Sequence, residues 1–322
     1  FQYHKTHTPS FADKLFGKST RIYKMASRFS MLFNALFSNP LSSSILKKIS
    51  GIAPNRSLPL MSINAFNDLI HSSEYQVNTE LKEVLLFVDE FSNYLDAHIA
   101  EDSYYLLTKL GYKVTIIDQL DSARALLSKG FLEEAKQTAN TNIDFLKEKV
   151  SEDTLLLGIE PSAILGFRDE YVRLANDTET AKKITKHCFL IEEFLASEIA
   201  IGNIKASQFT SASKTIKIHT HCHQKALSNQ KVTFDILNLP INYKPTIISS
   251  GCCGMAGSFG FEKDKYELSM QIGELKLFPA IRKASDEVII AANGTSCRHQ
   301  IKDGTDRLAL HPVSILRQAL ED

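Results

Sequence analysis

The sequence predicts an α/β protein made of two tandem units with parallel sheets, preceded by a helical N-terminal leader. From about residue 83 onward, short apolar segments of strand length alternate with segments of helical periodicity, which is typical of parallel α/β sheets. The alternation runs twice along the chain. Before it, the chain is basic and carries only helical patterns. We therefore predict three regions: a leader over residues 1–80, a first unit over 81–205 and a second unit over 206–322.

The leader contains nine Lys or Arg within its first 60 residues and a single acid, Asp13. Apolar residues recur there at helical spacing and predict an amphipathic helix that ends at Asn39-Pro40, and a second helix over residues 43–49 that ends at Gly51. Its apolar side carries Met25, Phe29, Leu32, Phe33, Leu36 and Phe37. Two interpretations stay open: the helix lies on a membrane surface, or it packs on the body of the protein or on a further domain.

Within the first unit, apolar runs that end in polar residues predict buried strands over 84–89, 113–118 and 154–160. Helices are predicted over 100–110, 132–149 and 178–199, and another begins near Pro161. The second unit repeats the order, with strands over 214–219, 246–250 and 287–292 and helices over 266–283 and 314–320. Cys188 is predicted to lie on the apolar face of the long helix over 178–199, as a core residue.

The two units look like copies of one ancestral unit. Three positions after strands of the first unit have counterparts at nearly constant offsets of 133, 131 and 134 residues. The pairs are Asp89 and Cys222, Ser122 and Cys253, and Ala163 and Cys297. A duplication would give such offsets, and the second copy then has cysteines where the first has Asp, Ser and Ala.

Four of the five cysteines, Cys222, Cys252, Cys253 and Cys297, lie in turns that follow predicted strands of the second unit. Loops at the carboxyl ends of parallel strands share one edge of the sheet, so we expect these cysteines to meet. Thiolates select zinc, copper(I) or iron–sulfur clusters, and four of them suit a cluster or tetrahedral zinc. The alternatives are that the cysteines are small buried hydrophobes or a thiol-redox site.

Glycines and histidines flank these cysteines. Gly251 and Gly254 allow backbone to approach a bound group closely, and His221, His223 and His299 are candidates for ligands or for hydrogen-bond donors to a thiolate. Arg124, Arg168 and Arg298 either bind a carboxylate or pair with acids of the protein.

Composition excludes several classes. The formal net charge is zero, which does not favour nucleic-acid binding. No phosphate-binding loop, zinc-protease helix or nucleophile elbow is present, so no catalytic residue is predicted. An odd number of cysteines in a chain of 322 residues argues against a disulfide framework and for the cytoplasm.

The cysteine pattern resembles the CCG, or cysteine-rich, domain. That domain occurs twice in one subunit each of heterodisulfide reductase and anaerobic glycerol-3-phosphate dehydrogenase, and in the glycolate oxidase iron–sulfur subunit. The strings His221–Leu227, Cys252–Gly260 and Gly294–Ile301 are similar to the C-terminal part of large FAD-linked oxidases that act on D-2-hydroxy acids such as D-lactate or D-2-hydroxyglutarate. The resemblance covers residues 80–322 and implies two Rossmann-like units.

The resemblance also implies a function. The chain would be the electron-transfer part of a longer FAD- and iron–sulfur-dependent dehydrogenase, with FAD and a ferredoxin-like module in a preceding part of the polypeptide and an electron acceptor as partner. The isolated chain would be inactive. It would lie in the cytoplasm or at the inner face of the membrane, and a homo-oligomer is left open. A rival interpretation is a docking or oligomerisation module with zinc or nothing at the cysteines.

Two departures from the family pattern limit the site. The family pattern ends in CxxC, whereas Gln300 stands three residues after Cys297. The first copy has Asp121-Ser122-Ala123 at the CCG position and Ala163 at the last cysteine. We therefore expect the first copy to be metal-free and the second to hold one ordinary iron–sulfur cluster or zinc.

Overall fold

The computed structural model describes residues 6–70 and 82–321. It confirms the predicted fold class: an N-terminal helical region is followed by two parallel sheets of four strands each. The strands of the first sheet are β1 (Glu83–Phe87), β2 (Lys113–Ile117), β3 (Leu155–Gly158) and β4 (Cys188–Leu190). Those of the second are β5 (Lys214–His219), β6 (Tyr243–Ile247), β7 (Ile289–Ala292) and β8 (Ala309–Leu310).

Both sheets have the same strand order, β2-β1-β3-β4 and β6-β5-β7-β8, as a duplication requires. Val84 of β1 stands opposite Val114 and Leu155 on its two neighbours. In the second sheet, Ile216 of β5 stands opposite Pro245 and Ile289. The central strands are buried because helices cover both faces of each parallel sheet.

The helices of the leader are α1 (Phe11–Gly17), α2 (Ser19–Ala26), α3 (Ser30–Ser38), α4 (Pro40–Ser50) and α5 (Phe66–Ile70). Those of the first unit are α6 (Glu90–Tyr94), α7 (Ala97–Lys109), α8 (Arg124–Ser128), α9 (Leu132–Leu146), α10 (Pro161–Ile164), α11 (Glu170–Leu174), α12 (Thr178–Thr185) and α13 (Ile191–Ala200). The second unit has α14 (Cys222–Leu227), α15 (Lys231–Leu237), α16 (Tyr266–Glu274), α17 (Leu277–Arg282), α18 (Thr295–Thr305) and α19 (Pro312–Ala319).

Two predicted helices of the α/β units are interrupted. The helix expected over 178–199 is wrong, because β4 separates α12 from α13 and its apolar residues pair with β3. Cys188 is therefore on a strand, although it is buried as expected. The helix expected over 266–283 breaks before α17 because Pro279 has no N–H to donate to the carbonyl of Leu275 and its ring would clash there.

The two units share one hydrophobic core, which contains Val84 and Leu86 of β1 as well as Ile216 and Ile218 of β5. Helix α7 packs on α19, and α13 packs on α15. The carboxyl edge of the second sheet lies next to loops of the first unit, since the N–H of Thr295 after β7 donates to Glu160 Oε2 after β3 at 2.8 Å. Gly257, in the loop after β6, is packed so closely that a Cβ there would lie 2.6 Å from Ser128 Oγ of α8.

The leader packs on the second unit and also exposes an apolar face. Ala53 N donates to Phe261 O at 2.8 Å, and the Phe16 and Phe261 rings are in contact. The predicted helix ends are confirmed, because α3 ends at Ser38 before Asn39 and Gly51 ends α4 with φ of 70°. The first predicted helix is interrupted, however, by a 3-10 turn over Ser27–Phe29 that separates α2 from α3. We call the exposed apolar side chains of α2 to α4 the leader face, which comprises Met25, Met31, Leu32, Leu36, Leu41, Ile45 and Ile49. No helix of the described ranges is long and apolar enough to cross a bilayer.

Candidate metal centre

The structure brings the four predicted cysteines together at the carboxyl edge of the second sheet. Cys222 begins α14 after β5, Cys252 and Cys253 follow β6, and Cys297 lies in the first turn of α18 after β7. Strands β6, β5 and β7 are adjacent, so their carboxyl ends meet. The thiol of Cys222 interacts with that of Cys252, which also contacts Cys253, and the Cys253 thiol in turn contacts Cys297. The four sulfurs thus form one continuous group.

The sulfur group is buried on one side and accessible on the other. Cys253 and Cys297 are buried, at 3% and 0% exposure, whereas Cys222 and Cys252 are half-buried. Gly251, directly before the vicinal pair, is exposed. The site therefore lies at the protein surface, in reach of a partner, with its deeper half in the core.

Hydrogen bonds between the thiols shift their pKa values in opposite directions. Hydrogen bonds from Cys222 and Cys253 lower the pKa of Cys252 to about 2. A hydrogen bond from Cys253 lowers the pKa of Cys297 well below its usual value, and the nearby His219 and His221 act in the same direction. The two donors, Cys222 and Cys253, have raised pKa values for the same reason. Cys252 and Cys297 therefore favour the thiolate form, whereas Cys222 and Cys253 would lose their protons when a soft cation binds.

Gly254 fixes the turn that carries the vicinal cysteines. Its φ is +100°, in a region that favours glycine, and its N–H donates to Cys252 Sγ at 3.3 Å. A Cβ at this position would lie 2.2 Å from the backbone carbonyl oxygen of Ser269. At Gly251, by contrast, a Cβ would meet nothing within 4 Å. Of the two predicted glycines, the structure gives only Gly254 a close-packed role.

His221 and His223 flank the sulfur group from the α14 side. The Nδ1 atom of His221 accepts from the N–H of His223 at 3.1 Å and caps the helix, and the two rings stack. The His221 ring also packs on Gly294, where a Cβ would lie 2.4 Å from its Cδ2 atom. His223 is turned toward the first unit, with Nε2 at 3.3 Å from Arg124 Nη1. The two histidine rings therefore line the side of the sulfur group that faces α14 and the first unit.

His299 lies on the other side of α18, toward the leader. Its Nε2 atom is 2.9 Å from Ser57 Oγ and 3.5 Å from Asp303 Oδ2, and its ring contacts Phe261. The structure therefore does not bring His299 to the sulfurs.

A fully buried arginine of the leader supports the cysteine loop from behind. The Arg56 guanidinium donates to Gly260 O at 2.9 Å, to Gln300 Oε1 at 2.8 Å and to Asp303 Oδ2 at 3.0 Å. Gln300 Nε2 in turn donates to Cys253 O at 3.0 Å. The residue that replaces the last cysteine of the family pattern is thus a link between the leader and the vicinal pair. Sequence reasoning missed this contact.

Sequence reasoning also missed His219, which ends β5 and is fully buried. A ring nitrogen of His219 and the sulfurs of Cys253 and Cys297 all lie within 4.8 Å of one another. The available signal was its position at the carboxyl end of a strand, three residues before Cys222.

The corresponding edge of the first unit is filled by protein hydrogen bonds. Asp89 caps α6 by accepting from the N–H groups of Phe91 and Ser92. Ser122 donates its N–H and its hydroxyl to the carboxylate of Glu90, each at 2.8 Å. The three candidate arginines pair with acids: Arg124 with Glu170, Arg168 with Glu193 and Arg298 with Asp96.

Comparison with known proteins finds no family model that matches the chain. The chain is 27% identical over 331 residues to the D-2-hydroxyglutarate dehydrogenase of Escherichia coli strain K12, an alignment that covers 99% of this chain and 31% of that protein. The D-2-hydroxyglutarate dehydrogenase of Haemophilus influenzae is 24% identical, with 90% of this chain and 29% of that protein covered. The chain thus spans about a third of the length of these relatives.

A second kind of relative is shorter. It is the subunit denoted C of the anaerobic glycerol-3-phosphate dehydrogenase of Escherichia coli strain K12, which is 25% identical over 318 residues, or 98% of this chain and 78% of that subunit. Over nearly its whole length, the chain is therefore similar to part of D-2-hydroxyglutarate dehydrogenase and to most of this glycerol-3-phosphate dehydrogenase subunit, which confirms the resemblance predicted from its cysteine motifs.

Proposed function

We propose that this chain is the electron-transfer module of a FAD-dependent 2-hydroxy-acid oxidoreductase, with an iron–sulfur cluster held by Cys222, Cys252, Cys253 and Cys297. The observation that carries the proposal is the convergence of four cysteine sulfurs in one group at a sheet edge. The relatives support the wider role, because they are dehydrogenases or a dehydrogenase subunit.

The donor set fits an iron–sulfur cluster. Four thiolates are what a [4Fe–4S] cluster requires, and the low pKa values of Cys252 and Cys297 supply the ligand form at neutral pH. When bound, such a cluster would accept and release single electrons. The N–H of Gly254 donates to Cys252 Sγ. This hydrogen bond would tune the reduction potential of the cluster, as hydrogen bonds to ligand sulfurs do.

The accessible half of the site supports electron exchange with a partner. Cys222 and Cys252 are half-buried, so a donor or acceptor could approach them closely. Lys225, whose Nζ donates to the carbonyl oxygens of Ser250 and Gly251, lies at the same opening. The opening of the site would therefore favour an acidic partner surface.

The leader face supports a second contact, with the FAD-bearing and ferredoxin-like parts of the same oxidoreductase. The residues from Lys14 to Asn67 contain eight cations and no acid, and the leader face exposes seven large apolar side chains, as an interaction surface does. We assign the assembly to the cytoplasm. Flotation of the protein with anionic vesicles, reversed by salt, would instead assign this face to the membrane surface.

A structural module is the second candidate function, and one observation favours it. Cys253 and Cys297 are as buried as core residues, as ligands of a closed structural zinc site are. In that case the module would serve as a docking or oligomerisation platform, and loss of the site would lower stability without a separate effect on electron transfer.

Metal analysis of the anaerobically purified protein tests the proposal. Iron, acid-labile sulfide and zinc per polypeptide are measured, with EPR spectra after dithionite reduction. About four irons and four sulfides per chain, with the EPR signal of a reduced cluster, are expected. Stoichiometric zinc that cluster reconstitution fails to replace would favour the structural module. The absence of metal after reconstitution would overturn the proposed electron-transfer role.

A further inference from the structure

His219 is a buried histidine in which one ring nitrogen is close to a hydroxyl group and the other is not. Its Nδ1 atom is 2.8 Å from Ser250 Oγ. Its Nε2 atom is buried and has no nitrogen or oxygen partner within the part of the chain that the structure describes, while the ring interacts with the Cys297 thiol and lowers its pKa. Leaving a buried polar atom without a partner destabilises a fold, so a nitrogen at this place indicates a use for it.

The contact with Ser250 occupies one of the two ring nitrogens. Ser250 Oγ lies 2.8 Å from His219 Nδ1 and 3.5 Å from Ile248 O, so Nδ1 is held by the protein. In the tautomer in which Nδ1 donates to Ser250, the lone pair of Nε2 is available to a metal. Histidines that bind metals show this arrangement, in which one ring nitrogen donates to the protein and the other faces the metal.

The free nitrogen faces the sulfur group. A ring nitrogen of His219 and the sulfurs of Cys253 and Cys297 are mutually within 4.8 Å, and Nε2 is the nitrogen that Ser250 does not occupy. Metal–sulfur and metal–nitrogen bonds of about 2.3 and 2.0 Å place two ligands of one ion within about 4.3 Å of each other. The 4.8 Å limit therefore allows these three atoms to share one metal.

We propose that His219 Nε2 is a direct ligand of the metal centre and takes one coordination position there, next to the sulfurs of Cys253 and Cys297. This inference rests on the proposed function, because it requires a metal at the site. Gln300 stands where the family pattern has its fifth cysteine, and its side-chain amide is committed to Arg56, Ser269 and the carbonyl of Cys253. His219 thus supplies, from the end of β5, the donor that α18 does not provide.

Pulsed EPR on the protein grown with nitrogen-15 histidine tests the ligand directly. The wild-type chain is loaded with Co²⁺ as a probe and, in a parallel sample, reconstituted with iron and sulfide. A directly bound imidazole gives a strong hyperfine coupling that changes with the isotope. We expect this coupling in the wild type and in His221→Gln, because His221 caps α14 with Nδ1 and its Nε2 atom lies 4.0 Å from Glu160 Oε1. We expect its loss in His219→Gln.

Two further variants show whether a lost nitrogen coupling reflects loss of the ligand or misfolding of the protein. His219→Cys offers a sulfur in place of the nitrogen and is expected to keep the metal while losing the nitrogen coupling. Ser250→Ala removes the acceptor that fixes the ring, and we expect Co²⁺ affinity to fall about 10-fold or more, with the nitrogen coupling retained in the loaded fraction.

The outcomes separate this inference from the proposed function. Metal bound in the wild type without any histidine coupling would overturn the role of His219 and leave the four-cysteine site intact. An equally strong coupling in His219→Gln would assign the nitrogen to another histidine and overturn it as well. Failure of the wild type to bind either Co²⁺ or iron would overturn both proposals.

Discussion

The side-chain amide of Gln300 donates a hydrogen bond to the backbone carbonyl of Cys253 at 3.0 Å. The same side chain accepts from Arg56 Nη1 at 2.8 Å, across 244 positions of sequence. The vicinal cysteines are therefore held from behind by a buried chain of hydrogen bonds that starts in the leader. This arrangement makes the leader a structural part of the candidate metal centre rather than a separate appendage.

Removal of the Arg56 guanidinium should destabilise the contact between the leader and the cysteine loop. Arg56→Met leaves the buried Asp303 carboxylate without its cation and Gln300 Oε1 without a donor, so we expect the free energy of unfolding to fall by about 3–5 kcal/mol. Denaturant unfolding checks this. Lys231→Met, which removes an exposed pair with Asp235, is the matched control and should cost less than about 1 kcal/mol. Equal effects in the two variants would contradict the buried role of Arg56.

The two glycines beside the vicinal cysteines should respond differently to a methyl group. Gly254→Ala combines a left-handed φ with a Cβ 2.2 Å from the Ser269 carbonyl oxygen. We expect it to lower the free energy of unfolding by roughly 3 kcal/mol and to weaken Co²⁺ binding. Gly251→Ala places its Cβ in open space and should change stability by less than about 0.5 kcal/mol. Thermal unfolding and Co²⁺ titration of both variants compare them, and a tolerant Gly254 would contradict the geometry of the turn.

The fold and the convergence of the cysteines could be predicted from the sequence because both follow from local patterns. Apolar runs of strand length mark the sheets, and the carboxyl ends of adjacent parallel strands meet at one edge. The three-residue strand β4 was missed because Cys188–Leu190 continues the helical pattern of its neighbours, and only pairing with β3 selects the extended form.

The remaining parts of the site have at most a weak local signal. The contact of Arg56 with Gln300 joins residues 244 positions apart, and no sequence motif around Arg56 predicts it. His219 looks like an ordinary strand end, and its role emerges only from the orientation that Ser250 gives to the ring. His299 was predicted at the site from its closeness to Cys297, but the turn of α18 directs it toward Ser57.

Metal content should depend on the cysteines of the sulfur group and not on Cys188. Cys253→Ser removes the sulfur that connects Cys252 with Cys297, and we expect bound iron or zinc to fall to background. Cys188→Ser is the matched control, because Cys188 is buried in the core of the first unit, and it should keep full metal content despite some loss of stability. Both are measured as metal per folded chain. Undiminished metal in Cys253→Ser would refute the assignment of the site.

A buried carboxyl group between the two units should make stability depend on pH. Burial raises the pKa of Glu192 to about 7 from an ordinary 4.5. One of its oxygens accepts from Asn293 at 3.0 Å, and the other has no partner among the described residues. Its charged neighbours are Glu160 and Glu193, and His311 Nε2 lies 4.0 Å away.

The sign of the pH effect follows from the direction of this shift. Between pH 4.5 and 7 the folded protein binds more protons at Glu192 than the unfolded chain does, so the free energy of unfolding should decrease as the pH rises through this window. Glu192→Gln keeps the hydrogen bond from Asn293 and removes the ionisation. We expect it to be more stable than the wild type at pH 8, by on the order of 3 kcal/mol, with little difference at pH 4.5. Denaturant unfolding across this range measures the difference, and a constant gap at all pH values would show that folding does not raise the pKa of Glu192.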